Sequence, residues 1–122
     1  MDPMHRVLFV CPHGAAKSRM AAAFFNRVAP PGWEATSAGI TPQETMSANA
    51  IRLLEGSDAA LLLDRTAPRS LSAVPSPDRV VAIDCDVPHA AHWTLAHQEF
   101  AAPMREELRG RVEALAREIG NG

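Results

Sequence analysis

The fold turns on one stretch near the start of the chain, His5-Arg6-Val7-Leu8-Phe9-Val10-Cys11-Pro12-His13-Gly14-Ala15-Ala16-Lys17-Ser18. Its first half is short, apolar and rich in β-branched and aromatic residues, the pattern of a buried strand. Cys11-Pro12-His13-Gly14 stops the strand and opens a loop of small residues. From Arg19 to Val28 the residues Met20, Ala21, Phe24, Phe25 and Val28 fall at helical spacing, with Ser18 expected as the N-terminal hydroxyl. A strand, a small-residue loop and a helix in that order build an anion seat. Successive small residues let backbone N–H groups converge. The helix start adds its positive dipole end, and Lys17 adds a formal charge. All three favour a thiolate at Cys11, a nucleophile placed beside a cradle for a tetrahedral oxyanion.

Outward from this unit the chain alternates. Ala29-Pro30-Pro31-Gly32 ends the first helix, and Trp33–Ala38 reads as a second strand stopped by Gly39. Ser47–Glu55 is helical, with Ala50, Ile51 and Leu54 on one face. Ala59–Asp64 fits helix or strand. Arg65–Asp78, with its prolines and serines, reads as loop. Arg79–Ile83 is a second fully apolar strand, followed by Asp84-Cys85-Asp86 and a short loop with His89 and His92. Trp93-Thr94-Leu95 reads as a last short strand. Pro103–Ile119 is a long amphipathic helix carrying Met104, Leu108, Val112, Leu115 and Ile119 on one side. Strands alternating with helices predict a parallel sheet covered on both faces. Sites in such sheets form at the carboxyl ends of the strands, which puts Cys11 and Asp84-Cys85-Asp86 on one edge.

Composition narrows the function. The 122 residues, 47% hydrophobic and 21% charged, suit one α/β domain spanning 1–122 with a single core. The apolar runs are too short to span a bilayer, and the start lacks the pattern of an export signal. We therefore expect a cytoplasmic protein with no membrane partner. A net charge of −2 argues against nucleic acid. Two cysteines cannot make a disulfide framework and are read as thiols. His89, His92 and Cys85 match no zinc spacing, so no metal is expected. Of the twelve basic residues the only lysine is Lys17, and there is no tyrosine.

The spacing Cys11, five residues, Lys17-Ser18 resembles the signature of the low-molecular-weight protein tyrosine phosphatases and their thiol-dependent arsenate reductase relatives. That signature runs Cys, two residues, Asn, two residues, Arg, Ser. The resemblance continues through Met20–Asn26, Trp33–Gly39, Ala50-Ile51 with Leu54-Glu55-Gly56, Pro68-Arg69 with Leu71, and Asp78–Ile83. His92-Trp93 is similar to the arsenate reductase branch. The resemblance implies a single-domain three-layer sandwich, with a roughly four-stranded parallel sheet flanked by helices. It implies that Cys11 attacks a phosphate monoester or arsenate. His13, Gly14, Ala15, Ala16, Lys17 and Ser18 would bind the oxyanion, and Ser18 would support the thiolate. It implies no cofactor; an arsenate reductase would need an external thiol such as glutathione or mycothiol.

Departures from the family fall on the chemistry. Lys17 stands for an arginine and offers one compact charge in place of a planar fork. Gly14 stands for the loop asparagine; it keeps the loop's shape but not its side-chain hydrogen bonds. Pro12 removes one loop N–H. The family's acid Asp-Pro pair falls at His97-Gln98, which makes His97 the expected proton donor, with Asp84 or Asp86 as substitutes. Asp84 occupies the first of the positions where thioredoxin-linked reductases carry further cysteines. Cys85 is either a core thiol or a partner that resolves an oxidised Cys11. Two functions follow: a cysteine-dependent phosphatase or arsenate reductase, or a weak pseudophosphatase that binds an oxyanion or a phosphorylated partner. A redox-sensing pair of Cys11 and Cys85 is a third.

Overall fold

The computed structural model describes residues 4–74 and 76–122. Met1–Pro3, part of the stretch read for an export signal, and Pro75 of the 65–78 loop lie outside it. Strands β1 (His5–Cys11), β2 (Trp33–Gly39), β3 (Arg79–Ile83) and β4 (Ala91–Trp93) form one sheet. Their order is β2-β1-β3-β4 and every pairing is parallel. The helices are α1 (Lys17–Val28), α2 (Ala48–Leu54) and α3 (Ala102–Asn121).

β1 is central, and Val7, Leu8, Phe9 and Val10 are all fully buried. A strand covered on both faces reads as a continuous apolar run, which is why this segment shows no alternation. One face, with Val7, Phe9, Val81 and Ile83, packs against the apolar stripes of α1, α2 and α3. Phe9 lies 6.2 Å from Phe25 and 5.9 Å from Trp93, centroid to centroid. The other face, with Leu8, Val10, Ala38 and Ala82, has a thin cover. Leu71 from a 3-10 turn (Leu71–Ala73), Val74 and Val87 supply that third layer.

Three local expectations are corrected. α1 starts at Lys17, with Ala16 as its cap residue and no side-chain cap; the Ser18 hydroxyl turns to Cys11 instead. Asp58–Leu62 is a 3-10 helix, a geometry that periodicity cannot separate from α-helix or strand over so few residues. β4 spans Ala91–Trp93, not 93–95, because Leu95 donates its N–H to the Asp84 side chain. β1 connects onward to β2 on one side of the sheet, while its other neighbour, β3, connects onward to β4 on the opposite side. The divergence of these connections opens a crevice at the carboxyl end of β1, where Cys11 sits.

Candidate active site

The loop between β1 and α1 is turned so that its carbonyls point out. Cys11 O accepts from the Ile40 N–H, Pro12 O from Thr41, His13 O from Gln43 and Ala15 O from Ser47. Gly14 O accepts from Arg19 Nε at 2.8 Å, and Ala16 O accepts from the Met20 N–H. By contrast, the N–H groups of His13, Gly14, Ala15 and Ala16 donate to nothing among the described residues. Gly14, Ala15 and Ala16 are buried, and buried amides left without partners are rare in folded proteins. Gly14 has φ +64, and a Cβ there would meet Gly39 N at 2.7 Å. Only glycine permits both the turn and the close approach.

Cys11 is buried, and its Sγ lies 3.1 Å from Ser18 Oγ. In the thiol form the S–H donates to this oxygen; in the thiolate form the hydroxyl can donate back. A cleft of about 380 Å³ opens over Cys11. Beyond the loop, its walls are Gln43, Ser47, Asn49 and Phe100.

Lys17 Nζ lies 2.7 Å from Asp84 Oδ2 and 3.2 Å from Gln98 Oε1. Both partners of the ion pair are mostly buried, with side-chain exposures of 13% and 12%. Asp84 also accepts from the Leu95 N–H at 3.0 Å and Gln98 Nε2 at 3.2 Å. Burial alone would raise its carboxyl; the hydrogen bond from Lys17, then those from Leu95 and Gln98, outweigh burial and lower it. Asp84 is thus a fixed carboxylate, poorly suited to give up a proton. Asp86 is exposed and pairs with His92 Nε2 at 3.2 Å.

His97 does not line the Cys11 cleft. It lines a separate one with Ala96, Gln98, Glu99, Ala101 and Pro103. Its backbone N–H donates to Glu107 Oε1, and its imidazole has no hydrogen bond among the described residues. Its neighbour Gln98 is the residue that reaches Lys17. Cys85 Sγ donates to Val10 O at 3.5 Å. Burial and then the Cys11 charge push the Cys85 thiol up. Among the described residues no group of His, Cys, Asp and Glu is placed to hold a metal ion, and no helix is long and apolar enough to cross a membrane.

Sequence reasoning missed Arg19, Asp64 and Gln98. Arg19 is 1% exposed. The only sequence signal for it was a charged residue at the start of a helix face otherwise built of Met, Ala and Phe. Asp64 carried no signal, and Gln98 was marked only as the neighbour of His97, because both meet the loop only through tertiary folding.

Among curated proteins no sequence matches significantly. Solved structures do. The chain is similar to a Corynebacterium glutamicum thioredoxin-dependent arsenate reductase (25% identity, TM-score 0.74), over 97% of this chain and 63% of that one. The chain thus spans less than two thirds of that protein's length. It is also similar to an arsenate reductase from Archaeoglobus fulgidus (26% identity, TM-score 0.68), over 95% of this chain and 99% of that one. An arginine phosphatase from Geobacillus stearothermophilus is 25% identical with a TM-score of 0.69, over 96% of this chain and 94% of that one. Residues 6–118 match the pattern of one family, and they contain the whole of the β1–α1 loop and its supports: the chain belongs to the low molecular weight phosphotyrosine protein phosphatase family.

Proposed function

We propose that the β1–α1 loop seats a tetrahedral oxyanion over Cys11, and that the Cys11 thiolate attacks a phosphate monoester or arsenate held there. The observation that carries this reading is the split in the loop's hydrogen bonding. Each carbonyl from Cys11 to Ala15 is taken by a donor from outside the loop and Ala16 O by the helix, while the N–H groups of His13–Ala16 have no hydrogen-bond partner among the described residues. Converging free N–H groups at a helix start are an anion site.

With a phosphate ester, the Cys11–phosphorus bond forms as the ester oxygen leaves. The leaving oxygen takes a proton from water entering the open cleft, unless the 96–103 segment moves to bring His97, the expected donor, over Cys11. Water then cleaves the phosphocysteine, releasing phosphate and restoring the thiolate. With arsenate, the sulfur–arsenic bond forms as a protonated oxygen leaves as water. A second thiol then takes the sulfur into a disulfide, arsenic leaves as arsenite, and the two electrons come from the thiols. An external thiol supplies them, Cys85 Sγ being turned to Val10 O.

The second reading, binding without efficient turnover, is favoured by a separate observation. Lys17 is engaged by Asp84 and Gln98, and His97 lies outside the cleft. Steady-state hydrolysis of an aryl phosphate between pH 5 and 8, with thiol-coupled arsenate reduction in parallel, separates the readings. Turnover that falls by about a hundredfold or more in Cys11→Ser supports the enzyme. Wild type and Cys11→Ser equally inactive in both assays, with phosphate still bound, supports the binding protein.

A further inference from the structure

One residue outside this chemistry closes the outward face of the loop. Arg19 follows Ser18 on the first turn of α1, and its side chain is fully buried. Its Nε donates to Gly14 O at 2.8 Å. A terminal nitrogen donates to Asp64 O at 2.6 Å and lies 3.8 Å from Asp64 Oδ1. Asp64 is held in turn by Arg69 at 2.6 Å. Arg69 donates to Ser37 O at 2.9 Å and Thr36 Oγ1 at 3.2 Å, and its own carbonyl accepts from the Gly39 N–H. Thus β2, Arg69, Asp64 and Arg19 form a chain of contacts that ends on one loop carbonyl.

The cost of this arrangement points to a role. A fully buried guanidinium is expensive unless fully paired. Here the second terminal nitrogen has no hydrogen-bond partner among the described residues, and the first reaches the Asp64 carboxylate only at 3.8 Å. An apolar side chain would fill the space more cheaply. What an apolar side chain would not provide is a cationic donor on Gly14 O. If that carbonyl swung inward, it would place a partial negative charge in the anion seat and break the convergence of the neighbouring amides.

We propose that Arg19 is the positioning residue of the anion loop: it pins the Gly14 carbonyl outward, and so holds the His13–Ala16 amides in their binding geometry. This rests on the oxyanion reading of the loop. The Asp64–Arg69 pair backs it by fixing the far end of the guanidinium.

The test is protection of Cys11 by inorganic phosphate against iodoacetamide, followed by peptide mass spectrometry, in wild type, Arg19→Gln, Arg19→Lys and Asp64→Asn. Circular dichroism and melting are recorded for each. The loss of one charged hydrogen bond predicts that Arg19→Gln weakens phosphate about tenfold. Arg19→Lys, which keeps a cation and donors, recovers most of the loss, and Asp64→Asn falls between. A merely structural role would lower the melting temperatures and leave the phosphate constant of the folded protein unchanged; that result overturns the proposal. If Arg19→Gln does not fold, unchanged phosphate binding in Asp64→Asn overturns it. A wild type that phosphate does not protect removes the oxyanion reading itself, and this inference with it.

Discussion

Replacing Asp84 by asparagine should make the site bind phosphate more tightly while making the protein less stable. Lys17 Nζ sits 2.7 Å from the Asp84 carboxylate, so much of its charge is already neutralised. A phosphate oxygen on the far side of the ammonium would lie roughly 5–6 Å from that carboxylate. Coulomb's law gives a repulsion of about 3 kcal/mol per unit charge there at an effective dielectric of about 20, and about half that with the cleft open to water. Removing the charge should therefore tighten phosphate by roughly ten- to a hundredfold. The same change leaves a mostly buried ammonium without its counter-charge. Breaking a fully buried pair costs about 3–5 kcal/mol; the open cleft and the amide oxygen that remains reduce this to about 1–2 kcal/mol. Titration calorimetry with phosphate at pH 7 and low salt reads the first effect, and urea unfolding the second. A folded Asp84→Asn protein whose phosphate affinity is unchanged or weaker would refute the reasoning, because Lys17 would then not be the cation facing the anion.

Lys17→Met should act oppositely, weakening phosphate by about tenfold in the same calorimetric titration. Gly39→Ala places a Cβ 2.5 Å from Gly14 N and His13 C; the loop must shift, so phosphate binding should fall well before the melting temperature does. Asp64 feels burial, which would raise it, but hydrogen bonds from Thr66 and Arg69 outweigh this and hold it at about 2. Its contribution is present above the ordinary value of 3.8 and is lost as pH falls from there toward 2. Discounted for its partial exposure, this is about 1–2 kcal/mol, and Asp64→Asn should flatten the acid limb of a stability–pH curve. Phe25→Ala empties space beside Phe9 in the main core and should cost about 3–5 kcal/mol by urea unfolding.

The centre of the sheet was legible because β1 and β3 are short apolar runs with clear stops. Val7–Val10 and Val80–Ile83 needed no tertiary information. The β1–α1 loop was legible too, since its small residues, its cysteine and the helix behind it are contiguous in sequence. The supports were not. Asp84 meets Lys17 across 67 positions, Gln98 across 81, and Asp64 meets Arg19 across 45. Such pairings are set by strand order, which no local pattern records. The expected acid at His97 shows the same limit. Counting from His92-Trp93 located the segment, yet the backbone turn that sends His97 N–H to Glu107 delivers Gln98, not His97, to Lys17.

The central claim is that loop amides and Lys17 hold an oxyanion over Cys11. Its most direct test is a phosphate titration followed by amide chemical shifts of the labelled protein. The account predicts saturable shifts concentrated at the His13–Ser18 amides, weakened in Lys17→Met. Shifts that are absent from these amides at saturating phosphate, or that cluster elsewhere on the surface, would contradict it.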